Sequence, residues 1–561
     1  MVCARYVFCR CVHILQSTSI PVSVGHLIGY SQAQKSGYHA SRFSGEEILH
    51  GNVRRLTPIL CSLFLAGCAS VDFDYPRVES HAYSNTTDTL LGREVAALGE
   101  IPEGQGGFHL LTDSIDALST RLLLAKRAER SLDAQYYLAY ADTVGYLTVR
   151  SLLDAADRGV RVRLLLDDFL TGGLSEGLAA MDTHPLIEVR MYNPFARRKF
   201  RLGDFATDFK RINRRMHNKV LIADNQVAII GGRNIAEEYF GAGDKYNFGD
   251  LDVMGVGHVT EETSEMFDAY WNHRISVPIQ ALVKPQADSE AALAALRQRV
   301  EKALKGIENT RYQAALDDST LDYLEGGVQL SSWAPYQFVY DPPVKPTKEE
   351  EEKYGNSILT PLRLVADSTE QELIVSSPYF VLHDDAINRM GKYVDRGVTI
   401  KIITNSLAST NHNIVHSGYA PTRKKLLRKG INLYETRPDA SISGVSHAAE
   451  SKSSLHTKAF IVDRRWFYLG SFNWDPRSAY TNTESGIIID DPVISAAVAE
   501  RTDLRLPTAA YEVYLDEKDR LRWKTLDDTG RVVTFTKEPE TGAWTRFKVW
   551  FMSLLPIDSQ L

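Results

Sequence analysis

Apolar and polar positions along the chain fall into two similar series. The stretch RSLDAQYYL, from residue 130, is an apolar run of strand length, and QELIVSSPYF, from residue 371, has the same character. Each leads into a helical segment that ends at Asp-Arg-Gly, where Gly159 and Gly397 suit a left-handed helix cap. The runs VRVRLLL and VTIKII come next, bounded by turn residues as buried strands are. HNKVLIADNQVAIIGG then predicts a strand, a tight turn at Asp224-Asn225 and a second strand. Strands alternating with helices predict α/β layering.

The two series stand at a nearly fixed offset. DRGVRVRLLLDD begins at Asp157 and DRGVTIKIITNS at Asp395, 238 residues apart, while His217-x-Lys219 and His456-x-Lys458 lie 239 apart. Two unrelated patterns at one spacing predict a body of two homologous halves, residues 105–284 and 355–500. Residues 285–354 are expected to supply a helix and a linker. Within that linker, DPPVKPTKEEEEK, proline-rich and charged, predicts an exposed loop, with the run of four glutamates at 349–352 solvated. Residues 501–561 are expected to form a β-meander and an amphipathic helix.

Composition narrows this only a little. The 561 residues are 44% hydrophobic and 24% charged, as in ordinary globular proteins. The formal charge of −7 argues against a dedicated nucleic-acid binder. The five cysteines are Cys3, Cys9, Cys11, Cys61 and Cys68, so the body after residue 68 has no disulfide, zinc–thiolate site or cysteine nucleophile.

The segment VRRLTPILCSLFLAGCAS pairs two arginines with an apolar run too short to cross a bilayer but long enough for a signal peptide. Its LAGC resembles the lipobox of bacterial lipoproteins, which implies lipidation at Cys68. Translation is then expected to start at or near Val53. Residues 1–67 would combine an upstream extension with the signal peptide, and 68–104 would be an N-terminal linker. The mature protein would be anchored in the cell envelope and face the periplasm, with Ala69 after the cysteine favouring the outer membrane.

The repeated stretch carries the chemistry. His217 and Lys219 share one face of an extended chain, as do His456 and Lys458. If the halves pack about a pseudo-two-fold axis, both pairs meet in one cleft, with Asn234 and Asn473 as neutral donors. Such a cluster suits a phosphodiester, because ammonium groups offset phosphate charge without a metal or other cofactor. One imidazole attacks phosphorus while the other protonates the leaving alkoxide. Two are needed because one ring cannot be nucleophile and proton donor together. A carboxylate should orient each imidazole, and the candidates are Asp252 and Glu484. Asp224 and Asp463 occupy turns and are expected to brace the fold.

The double His-x-Lys-x4-Asp-x6-Gly-[Gly/Ser]-x-Asn pattern resembles the phospholipase D superfamily. It runs through His217, Lys219, Asp224, Gly231, Gly232 and Asn234, and again through His456, Lys458, Asp463, Gly470, Ser471 and Asn473. GGRNIAEEYFGAG, FGDLDVMGVG, HSGYAPTRKKLL and GSFNWDPRSAYTNTE look like the bacterial cardiolipin synthase C type. The resemblance covers residues 105–555 and implies an α/β fold of two phospholipase D-like α-β-α halves sharing one cleft. It implies attack by His217, acid catalysis by His456 and transfer of a phosphatidyl group to phosphatidylglycerol through a phosphohistidine. Phosphatidylethanolamine is a possible donor. A hydrolytic phospholipase D is the alternative, and a nuclease is disfavoured by the charge. Where the first copy has Gly232, Ser471 offers an extra hydroxyl. Tyr419 and His416 are candidates for the headgroup rim. GAWTRFKVWFMSLLP, residues 542–556, mixes aromatics with cations as interfacial helices do, though a packed C-terminal helix fits it equally.

Overall fold

The structure is a computed structural model. It describes residues 70–555, apart from 199–200, 285–286, 309, 311, 315, 319–326 and 441–451. The signal peptide, the Val53 start and Cys68 lie outside the described residues.

The first half contributes β1 (Gln105–Leu111), β2 (Ser131–Tyr136), β3 (Arg161–Asp167), β4 (Ile187–Tyr192), β5 (Val220–Ala223), β6 (Val227–Gly231), β7 (Tyr246–Gly249), β8 (Asp252–Val256) and β9 (Ser276–Pro278). A long strand, β10 (Ser332–Tyr340), follows. The second half contributes β11 (Glu372–Ser376), β12 (Thr399–Asn405), β13 (Asn432–Thr436), β14 (Lys452–Leu455), β15 (Ala459–Val462), β16 (Trp466–Gly470) and β17 (Ser485–Asp490). Last comes a meander of β18 (Ala510–Leu515), β19 (Leu521–Leu526) and β20 (Val532–Phe535).

Pairing runs β8-β6-β5-β2-β3-β4 in one half and β17-β16-β15-β11-β12-β13 in the other. In both, the last three strands are parallel and the rest antiparallel, so the repeat in sequence is a repeat in topology. Each turn after the His-x-Lys stretch is built alike. Asp224 takes φ 51° and Asp463 φ 52°. The Asp224 carboxylate accepts the amides of Glu129, Arg130 and Ser131, and that of Asp463 accepts Glu370, Gln371 and Glu372. Both aspartates therefore tie the hairpin to the start of the adjacent strand, as fold braces. Gly159 and Gly397 end their helices at φ +100° and +94°, where a side chain would be strained.

The connection between the halves differs from its sequence reading. β10 pairs with β1 through Ser332–Pro335 and with β17 through Tyr336–Tyr340, which joins both sheets into one of 18 strands. The expected exposed loop then holds a buried ion pair, Lys345 Nζ to Asp341 Oδ2 at 2.6 Å. The glutamates fall on a helix, Lys348–Tyr354, because Thr347 and Glu350 form a capping box and Gly355 closes it in the left-handed region. The helix Pro492–Ala509 also runs straight through the boundary expected at residue 500. One apolar cluster, with Val220, Ile230 and Phe267 of the first half and Ile374, Ile461 and Ile487 of the second, packs between the halves.

Candidate active site

The His-x-Lys pairs lie in extended chain just ahead of β5 and β15, and each is held by the opposite half. The His217 amide donates to the Thr483 carbonyl at 2.8 Å, and the His456 amide to the Gly249 carbonyl at 2.8 Å. β7 and β14 form a parallel pair across the halves that fixes the second contact. Each of those carbonyls immediately precedes a carboxylate. His217 Nδ1 lies 2.8 Å from Glu484 Oε2, and His456 Nδ1 lies 2.6 Å from Asp250 Oδ2. Thus each half supplies the carboxylate that orients the other half's imidazole.

Asp252, expected to orient an imidazole, does not. It is buried between Arg121 and Arg233, at 2.8 and 3.0 Å, and braces the sheet beneath the site. Asp252 is the first residue of β8, whereas Asp250 lies in the break between β7 and β8, where the chain turns its carboxylate to His456. Asp250 was legible in principle: aligning the apolar run from Val253 with the run from Ile487 sets Asp250 against Glu484.

The two glycine-rich ends explain each other. A Cβ on Gly232 would lie 2.3 Å from Asp250 Oδ1, so the first copy needs glycine there. At the matching position, Ser471 donates to Glu484 Oε2 at 2.5 Å, while Ser478 donates to Glu484 Oε1 at 2.8 Å. Asp341 accepts the Glu484 amide at 2.8 Å, which makes the linker's buried ion pair part of the site's support. A Cβ on Gly231 would meet Asp252, and one on Gly470 would meet the Ser485 carbonyl; both glycines permit close strand approach.

The lysines are buried. Lys219 Nζ donates to the His217 carbonyl at 2.5 Å. Lys458 Nζ contacts the His456 carbonyl and lies 2.8 Å from its Nδ1. Tyr137 and Tyr239, which sequence reading missed, stand edge-on to His217 and His456, with centroids at 5.1 and 5.0 Å. Asn234 donates to the Tyr239 hydroxyl at 2.9 Å, and the Oδ1 atoms of Asn234 and Asn473 are buried without a hydrogen-bond partner. Nothing in the motif spacing flags the tyrosines. Tyr419 and His416, expected at the rim, are buried elsewhere: Tyr419 donates to Glu435, and His416 Nε2 faces Glu538 at 3.8 Å, in a cluster with Arg423 and Trp523.

Electrostatics couple these groups across the halves. Burial, with the charges of Lys219 and Lys458, brings His217 down to about 4 against the pull of Glu484. Burial and the charges of Lys458, Lys219 and His217 hold His456 well below its ordinary value. Burial lowers Lys219 to about 7 and Lys458 to about 8, although Glu484 and Asp250 oppose it. Burial raises Glu484, but His217 and Lys219 outweigh it and keep the carboxylate ionised. His217 is therefore neutral near pH 7, its Nδ1–H directed at Glu484 and its Nε2 lone pair available. An anionic phosphodiester entering among these groups favours the imidazolium at His456.

The family described as cardiolipin synthase, phospholipase D-like domain, matches residues 123–271 and 363–503, and the chain belongs to that family. Cardiolipin synthase C of Escherichia coli (strain K12) is 38% identical over 466 residues, which cover 81% of this chain and 96% of that protein. Cardiolipin synthase B of the same strain is 24% identical over 365 residues, 65% of this chain and 71% of that one. A crystal structure of phosphatidylserine synthase from Haemophilus influenzae Rd KW20 aligns with a TM-score of 0.51 at 12% identity. It covers 75% of this chain and 91% of the other, and supports the fold.

Proposed function

We propose that the protein is a phosphatidyltransferase that makes cardiolipin. The observation that carries this reading is the reciprocal arrangement, in which His217 rests on Glu484 and His456 on Asp250 with a lysine beside each ring. His217 Nε2 attacks the phosphorus of a donor phospholipid, the P–O bond to its headgroup breaks, and the leaving alkoxide takes a proton from His456. Lys219 and Lys458 offset the charge on the non-bridging oxygens. In the second step neutral His456 accepts the proton of a free glycerol hydroxyl on phosphatidylglycerol. That oxygen bonds to phosphorus, the P–N bond breaks, and His217 is restored. With phosphatidylglycerol as donor, the products are cardiolipin and glycerol.

The protein works at a membrane surface. No helix among the described residues is long and apolar enough to cross a membrane. The helix Ala543–Met552 instead leaves Trp544, Phe547, Trp550 and Phe551 exposed, at 65, 48, 56 and 54%, with only Val549 buried. Lys548 lies over the Trp544 ring. Aromatics facing outward among cations suit insertion at the headgroup level. Lipidation at Cys68 and a periplasm-facing position in the cell envelope complete this reading.

The test is incubation of purified protein with phosphatidylglycerol, with and without phosphatidylethanolamine, while following cardiolipin and phosphatidic acid. Cardiolipin is the expected product, and phosphatidic acid alone would reject transfer.

A further inference from the structure

The halves differ at one internal position. Each has a helix beginning eight residues after its catalytic carboxylate, His258–Asn272 after Asp250 and Pro492–Ala509 after Glu484. In the first helix Phe267 and Trp271 are fully buried and stacked, with centroids at 5.7 Å, and they plug the space beneath the sheet. The matching positions of the second helix are Arg501 and Arg505. There the plug is replaced by a cavity of about 520 Å3, walled by Ile374, Ile403, Ile461, Phe467 and Val498 and flanked by the two arginines. Asp250 and Thr457, neighbours of His456, also line it.

The cavity opens to the surface beside Val493 and Arg501, which gives a ligand a way in. The volume lies in the range of small-molecule sites, which are mostly apolar with a few placed polar groups. Aliphatic walls with two guanidiniums fit a ligand with a long alkyl body and an anionic end, since guanidinium forks match phosphate geometry.

We propose that this cavity takes one acyl chain of an anionic glycerophospholipid, with Arg501 and Arg505 on its phosphate. The cavity adjoins the imidazole cleft, sharing Asp250 with it, and the choice of ligand rests on the phospholipid-processing reading. A chain lodged there keeps water from the Asp250 side of the His456 pair.

The test uses the full chain carrying His217→Ala, so that no turnover is needed. The probe is lysophosphatidylglycerol with a photoreactive diazirine in its acyl chain, and labelled peptides are mapped by mass spectrometry. Labelling is expected on the peptides carrying Val498 and Ile461. It should fall at least tenfold in R501F/R505W, which rebuilds the first half's plug, and also in Val498→Phe. R501Q/R505Q should abolish the preference over a lysophosphatidylcholine probe of equal chain length. Unchanged labelling in both plugged variants, or labelling confined to peptides outside this cavity, would overturn the proposal. Either result leaves cardiolipin formation by the wild-type protein a separate measurement.

Discussion

At the residue scale, the two His-x-Lys pairs stand out because the pattern and its glycine-asparagine tail occur twice, and the structure sets each histidine against a carboxylate of the other half. The orienting carboxylates were legible only in part. NTESGII offers one carboxylate, Glu484, but FGDLD offers two aspartates, and only the pairing of Gly231 with Asp252 and of Gly470 with Gly486, which sets Asp250 at the place of Glu484, separates them. The separation has measurable consequences. Asp250→Asn is expected to lower kcat about 10²–10⁴-fold with the fold intact, because it removes the acceptor that orients His456. Asp252→Asn is expected to lower stability instead, by about 3–5 kcal/mol, because it strips a buried partner from Arg121 and Arg233. Parallel kinetics and thermal melts check both; a stable but inactive Asp252→Asn protein would contradict the assignment.

The same scale sets the pH dependence. With a nitrophenyl phosphatidyl ester the leaving group needs no proton, so under the proposed mechanism formation of the covalent species requires neutral His217 and charged Lys219. His217 is depressed to about 4, so its neutral form is lost only as pH falls through that value. Lys219 is depressed to about 7, so its charge is lost as pH rises through that value. The profile of nitrophenolate release is expected to show an acid limb near 4 and an alkaline limb near 7. An acid limb at the ordinary imidazole value of 6.5 would contradict it.

At the element scale, strands, turns and helix caps followed from local pattern, since apolar runs, Asp-Asn and Asp-Arg-Gly act within a few residues. The connection did not. Proline and glutamate read as solvent-exposed, yet Asp341 and Lys345 are buried because Asp341 must hold both the Ile358 and Glu484 amides, a requirement set by distant chain. The glycine-rich end after β6 is similarly governed by a neighbour. Gly232→Ala is expected to displace the Asp250 carboxylate and to reproduce the kinetic loss of Asp250→Asn, as turnover assays would show; wild-type activity would deny the close approach. For the terminal helix, Trp544→Ser with Trp550→Ser should weaken partitioning to phosphatidylglycerol vesicles about 10²–10⁴-fold, given about 1.5–3 kcal/mol for each buried aromatic. Sedimentation with vesicles measures this, and unchanged partitioning would assign the helix to packing alone.

At the scale of the whole molecule, the proposed chemistry makes duplication a condition. Neither half holds a complete site, because His217 lacks its carboxylate without the second half and His456 lacks its own without the first. Sequence predicted two halves and one cleft but not this exchange, which depends on β10 joining the sheets and β7 pairing with β14. The two rings thus act as a unit. His217→Ala and His456→Ala should each lower transfer from phosphatidylglycerol about 10³-fold or more, and the double variant should lose little beyond either one. Independent, multiplying losses would mean that the rings serve separate sites.

The most direct measurement divides attack from proton donation. When the nitrophenyl phosphatidyl ester is mixed with His456→Ala protein, the leaving group departs without an acid. A burst of one nitrophenolate per chain is expected, with a phosphatidyl mass on the peptide containing His217. His217→Ala protein is expected to give neither. A burst and adduct in His217→Ala protein, or their absence from both variants, would contradict the account.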